Sequence, residues 1–149
     1  MTPPGEINGD VGKDENPVIG IVIVAHGLWA REYLSAVEHV VGKQDGIVAI
    51  KIEENHDRGS KQEEICAAAD LVDNGKGVVV VTDMFGGSPS NLSLKACGLS
   101  NRRILCGANL PMLIKLAKSR ELDVGQAVDM AADAGRKYIS SFSGSFENG

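Results

Sequence analysis

Two uninterrupted apolar runs constrain this chain most. One is Val78-Val79-Val80-Val81; the other is Val18-Ile19-Gly20-Ile21-Val22-Ile23-Val24-Ala25. A strand with one wet face alternates apolar and polar residues, so a run without alternation needs cover on both faces. Both runs fall well short of the roughly 20 apolar residues of a membrane-spanning helix. Their β-branched content favours strands. Other signals alternate with them. Residues 29–41 carry Leu34, Val37, Val40 and Val41 at helical spacing and stop at Gly42. Ile47–Ile52 reads as a short strand. Ser60 with Glu63 three residues on reads as a capping box, opening a helix to about Asp73 before Asn74-Gly75. Ser88-Pro89 opens a helix to about Cys97, and residues 103–106 form a fourth strand. Pro111 opens a helix to about Ser119, and Asp123 caps a last one to about Ile139. Strands alternating with helices predict a doubly wound α/β fold: a mostly parallel central sheet with helices on both faces.

A chain of 149 residues suits one domain. Residues 1–17 are dominated by Pro, Gly, Asp, Glu and Asn and are expected to form a disordered extension. The folded domain is expected over residues 18–142, with 143–149 as a flexible tail. A net charge of −5 and the lack of a basic patch argue against nucleic acid as a partner. Arg102-Arg103 reads as the flank of a strand. Cys66, Cys97 and Cys106 are widely spaced, form no metal-ligand pattern and read as buried thiols. No signal peptide or membrane span is evident, so a cytoplasmic protein without membrane insertion is expected.

In a parallel sheet of this kind, the ends of the first, third and fourth strands share one edge. Three loops should converge there: Ala25-His26-Gly27, Asp83 to Ser88, and Gly107 to Leu110. His26 at a strand tip is a candidate nucleophile. Asp83 can accept a hydrogen bond from one imidazole nitrogen, leaving the other free, or can simply cap a turn. Gly86 and Gly87 let backbone N–H groups approach an anion, and Ser88 opens a helix whose first N–H groups are unpaired. Such a site suits a phosphoryl group. It calls for no metal and no cofactor. Trp29 either walls the site or staples the first helix to the core. Met84, Phe85, Leu110 and Met112 are candidates either for an apolar partner rim or for the core. His39 reads as a partly buried helix residue and His56 as a solvated loop residue.

These residues resemble the IIA component of the mannose family of the bacterial phosphoenolpyruvate-dependent sugar phosphotransferase system. The matching blocks are Ala25-His26-Gly27, then Thr82-Asp83-Met84-Phe85-Gly86-Gly87-Ser88-Pro89-Ser90-Asn91, then Gly107-Ala108-Asn109-Leu110-Pro111-Met112-Leu113. The resemblance spans roughly residues 18–140. It implies a phosphotransferase component in which His26 takes a phosphoryl group from phospho-HPr and passes it to a histidine of a IIB protein. Asp83 would orient His26, and Ser88 would stabilise the phosphate. It also implies a homodimer and a sheet of four parallel strands plus one antiparallel strand that subunits can exchange, here expected near Tyr138–Phe142. Two departures stand out. Met84-Phe85 replaces the family's frequent tryptophan, and the sequence ends at Gly149 without a linker into a IIB domain, which predicts a stand-alone IIA protein.

Two other functions fit the same residues. In one, the phosphorylation state of His26 controls docking to a kinase or transcription factor without sugar transport. The other is the related phosphoryl-donor subunit of dihydroxyacetone kinase, which the GGSPSN and GANLPML blocks fit less well.

Overall fold

The central strand β1 (Gly20–His26) is flanked on both sides by parallel neighbours in a computed structural model of the chain. The structure describes residues 16–55, 57–84, 98 and 100–144. The elements in chain order are β1, α1 (Trp29–Val41), β2 (Ile47–Ile52), α2 (Arg58–Val72), β3 (Val78–Thr82), β4 (Arg102–Cys106), α3 (Leu110–Ala117) and α4 (Val124–Lys137). Among the described residues the strands form a single sheet, in the order β2-β1-β3-β4, with every adjacent pair parallel. The chain thus winds outward from β1 in both directions, and a crevice opens where the winding reverses, at the C-terminal tips of β1 and β3.

The unbroken apolar runs are explained by two cores. Ile21, Ile23 and Ala25 of β1, with Val79 and Val81 of β3, pack against α1, α3 and α4. The alternate residues Val22, Val24, Val78 and Val80 pack with Ile65, Ala68, Ala69 and Val72 of α2. Full burial of each valine or isoleucine among them contributes about 1.5–3 kcal/mol. Gly20 is fixed by this packing, because a Cβ there would run into the Val72 carbonyl where α2 crosses β1.

Several local expectations shift. β1 starts at Gly20 rather than Val18 and extends through His26, which pairs with Ile52 in the β2 register. Ile19 precedes the strand and is held by Arg120, whose carbonyl accepts the Ile19 N–H and whose Nε donates to the Ile19 carbonyl at 2.7 Å. Asp57, not Ser60, caps α2. The Asp57 carboxylate accepts the Ser60 backbone N–H at 2.8 Å, so Ser60 is already inside the helix and no Ser60–Glu63 capping box forms. Arg102 lies within β4 rather than beside it. Its buried guanidinium donates to Asp70 and Asp73 at the end of α2. His39 is exposed on α1, and Cys66 and Cys106 are half-buried rather than buried. Tyr138–Phe142 contains no strand; Tyr138, Ile139 and Phe142 are exposed beyond the end of α4. The expected helix 89–97, His56, Cys97, residues 1–15 and residues 145–149 lie outside the described residues.

Candidate functional site

His26 ends β1 with its side chain 48% exposed, while the Asp83 side chain, just past β3, is 7% exposed. A rigid, covered strand therefore presents the imidazole to solvent, and a buried carboxylate grips it from behind. Asp83 Oδ2 accepts from His26 Nδ1 at 2.9 Å and from the His26 backbone N–H at 3.0 Å. A carboxylate oxygen is an acceptor, so Nδ1 carries the proton of the neutral ring and Nε2 keeps its lone pair. Asp83 Oδ1 is buried without a hydrogen-bond partner among the described residues.

The turn that follows is also built for exposure. Gly27 has φ +56, a left-handed conformation that side chains resist, and its N–H donates to the Ile52 carbonyl at the tip of β2. Across the crevice the Ala108 N–H donates to the Thr82 carbonyl, drawing the loop after β4 toward the tip of β3. The Tyr33 hydroxyl of α1 donates to the Ala108 carbonyl at 3.2 Å. Burial and the negative charge of Asp83 both raise the Tyr33 phenol above its usual range. His26, Gly27, Leu28, Trp29, Asp83 and Met84 line an open concavity of about 650 Å³.

The structure thus brings His26, Asp83, Trp29 and Met84 together, and Leu110 reaches a neighbouring hollow beside Trp29. Trp29 is 61% exposed, so it walls the site and does not staple α1 to the core. Met112 is not part of the rim. It is 5% exposed inside the core, because α3 turns Met112, Leu113 and Leu116 inward. Phe85, Gly86, Gly87 and Ser88 lie outside the described residues. Tyr33 and Leu28 were not singled out from the sequence. The Trp29/Tyr33 pair at i, i+4 on the first turns of α1 is the signal that points to Tyr33. Among the described residues no cluster of His, Cys, Asp or Glu is arranged to hold a metal ion.

Chemically, this is an exposed imidazole with a fixed tautomer, a free Nε2 and a buried counter-charge. It can attack an electrophile and carry positive charge while the adduct lasts.

A family profile, EIIA-man, described as the PTS system fructose IIA component, matches residues 20–132. The chain is 28% identical over 126 residues to the PTS system mannose-specific EIIAB component of Escherichia coli K12. That alignment covers 83% of this chain and 39% of the relative, so the chain spans well under half of that protein. Among solved structures it is similar to the phosphotransferase system component EIIA from Streptococcus agalactiae, with TM-score 0.74 and 27% identity over 83% of this chain and 96% of that one. The mannose/sorbose-specific IIA subunit from Enterococcus faecalis superposes with TM-score 0.75 over 84% of this chain and 95% of that one; at 22% identity this likeness concerns the fold.

Proposed function

The chain belongs to the mannose-type IIA family of the bacterial sugar phosphotransferase system, and from that premise we propose that it is a phosphocarrier whose transient phosphoryl group sits on His26 Nε2. The observation that carries this is the double grip of Asp83 Oδ2 on His26. The donor is phospho-HPr, and the acceptor is a histidine of a IIB protein. In the first step Nε2 attacks phosphorus, the P–Nε2 bond forms and the P–N bond of the donor histidine breaks. The donor ring takes back its electron pair. No proton need move: the donor ring, protonated on its other nitrogen, leaves as neutral imidazole, and Nδ1 of His26 keeps its hydrogen against Asp83. The His26 ring gains positive charge, and the nearby carboxylate offsets it. The second step runs the same exchange toward the acceptor. Gly86, Gly87 and Ser88 would hold the phosphoryl oxygens through backbone N–H groups at a helix start. Phosphoryl transfer relies mainly on such positioning and charge stabilisation.

The exposed Tyr138, Ile139 and Phe142 support self-association through the C-terminal segment. The cytoplasm is the fitting compartment for exchange with phospho-HPr. No helix among the described residues is long and apolar enough to cross a membrane.

Incubation with phosphoenolpyruvate, enzyme I and HPr tests the reading. Wild-type protein should gain one acid-labile, alkali-stable phosphate that maps to His26, and His26→Ala should gain none. Phosphate on the variant at the wild-type level would sink the proposal.

A further inference from the structure

Beside the His26 concavity lies a second, smaller hollow of about 280 Å³, lined by Trp29, Glu32, Tyr33, Ala36 and Leu110. The first four residues stand at i, i+3, i+4 and i+7, one face of α1, and Leu110 opens α3. Trp29 borders both hollows, so they adjoin at this residue. Its ring is largely exposed, and the walls formed by Ala36 and Leu110 are apolar. Glu32 is exposed, and among the described residues its carboxylate has no ion pair or side-chain hydrogen bond. Tyr33 is held in place by its bond to the Ala108 carbonyl.

This combination selects its occupant by charge. A wholly apolar group would strip water from Glu32 and return nothing. An acidic group would be repelled by Glu32 and, more distantly, by Asp83. A long basic side chain satisfies every wall. Its methylene stem can lie on Leu110 and Ala36, its cation over the Trp29 face, and its N–H donors on the Glu32 carboxylate. We propose that this hollow receives an arginine or lysine side chain of the protein that exchanges phosphoryl groups with His26, anchoring it beside the concavity that holds the reacting ring. The assignment deepens, and rests on, the phosphocarrier reading. It adds a subsite built from Trp29 and Glu32, away from the phosphoryl group itself.

The test uses full-length protein and phospho-HPr as donor, with initial rates of His26 phosphorylation measured against donor concentration. Glu32→Gln should raise KM about fivefold, the size of one partly screened charge pair, with kcat unchanged and a weaker dependence on salt. Asp129→Asn removes the same charge from the exposed face of α4 and should keep KM within about twofold of wild type. Equal KM shifts in the two variants, or a loss confined to kcat, overturn the assignment. A second readout needs no phosphoryl transfer. N-acetyl-arginine amide, titrated into ¹⁵N-labelled protein, should shift the Trp29 indole N–H signal saturably in wild type and far less in Glu32→Gln. Equal shifts in both proteins also overturn it. If wild-type protein takes no phosphate on His26, the phosphocarrier reading fails, and the titration still decides what the hollow binds.

Discussion

Asp83 Oδ2 accepts hydrogen bonds from two atoms of one residue, the backbone N–H and Nδ1 of His26. The first bond fixes where the ring starts, and the second fixes how it is turned and which nitrogen is protonated. Asp83→Asn keeps the size of the side chain but removes the charge, and its amide can offer a donor where the ring needs an acceptor. We expect single-turnover phosphorylation of His26 to slow by about 30-fold, equivalent to losing about 2 kcal/mol of charge-assisted bonding. The circular dichroism spectrum should be unchanged. Wild-type rates in the variant would remove Asp83 from the mechanism. This pair was legible in the sequence because parallel strands put their C-terminal ends at one edge, so two residues far apart in sequence could be placed together. Trp29 and Met112 were not separable in that way. Both are large, apolar and close to a helix start, and only the rotation of α1 and α3 about their axes turns one outward and the other into the core.

At the scale of elements, short polar side chains decide how helices begin and what they hold. The Asn109 side chain caps α3 by accepting the Met112 N–H at 3.0 Å, and its amide donates to the Gly135 carbonyl of α4 at 3.0 Å. One residue thus starts a helix and ties it to the next. Asn109→Ala should cost about 1–2 kcal/mol in urea unfolding, with the loss confined to stability and the His26–Asp83 geometry retained. A change below about 0.3 kcal/mol would show that solvent replaces both bonds. The other tether joins α2 to β4 through Arg102, Asp70 and Asp73. Burial alone would raise the Asp73 carboxyl. The Gly75 N–H and the Arg102 guanidinium outweigh that and hold it below its ordinary value of 3.8. As pH falls, the unfolded chain therefore takes up this proton before the folded one does. The stabilisation is present above about pH 4 and is lost as pH drops through the folded value. Asp73→Asn should lower stability at neutral pH and lose less on further acidification to about pH 3 than wild type does. Parallel acid losses in the two proteins would exclude Asp73 as a source. The helix and strand types were readable from periodicity, but the α2 cap was not. Asp57 and Ser60 are both good caps, and the choice depends on where the chain leaves β2.

For the whole molecule, the sheet separates two tasks. Its C-terminal edge holds the site. At its N-terminal edge Arg120 binds the Ile19 carbonyl, the Gln44 side chain and the Gly46 carbonyl, fastening β1, the turn before β2 and the end of α3 to one guanidinium. Burial lowers its pKa from the usual arginine value. The alternation of apolar runs and helices made this architecture legible in advance. The buried arginine carried no signal, because it serves carbonyls that the sequence does not display. The exposed apolar side chains after α4 belong to this scale too. If Ile139 and Phe142 meet a second copy, the double substitution Ile139→Lys and Phe142→Lys should convert a sedimenting dimer to monomer while leaving the thermal transition of each subunit nearly intact. A wild-type protein that already sediments as a monomer would refute the contact. The pairing that makes the site also has an order in time. His26 and Asp83 are 57 residues apart, and β1 finds β3 only after a crossover has been made. At about 5–20 residues per second, a ribosome would deliver the histidine roughly three to eleven seconds before its aspartate. During that interval the nascent chain carries a histidine without its counter-charge, and the grip of Asp83 on His26 can close only once β3 has been made and paired with β1.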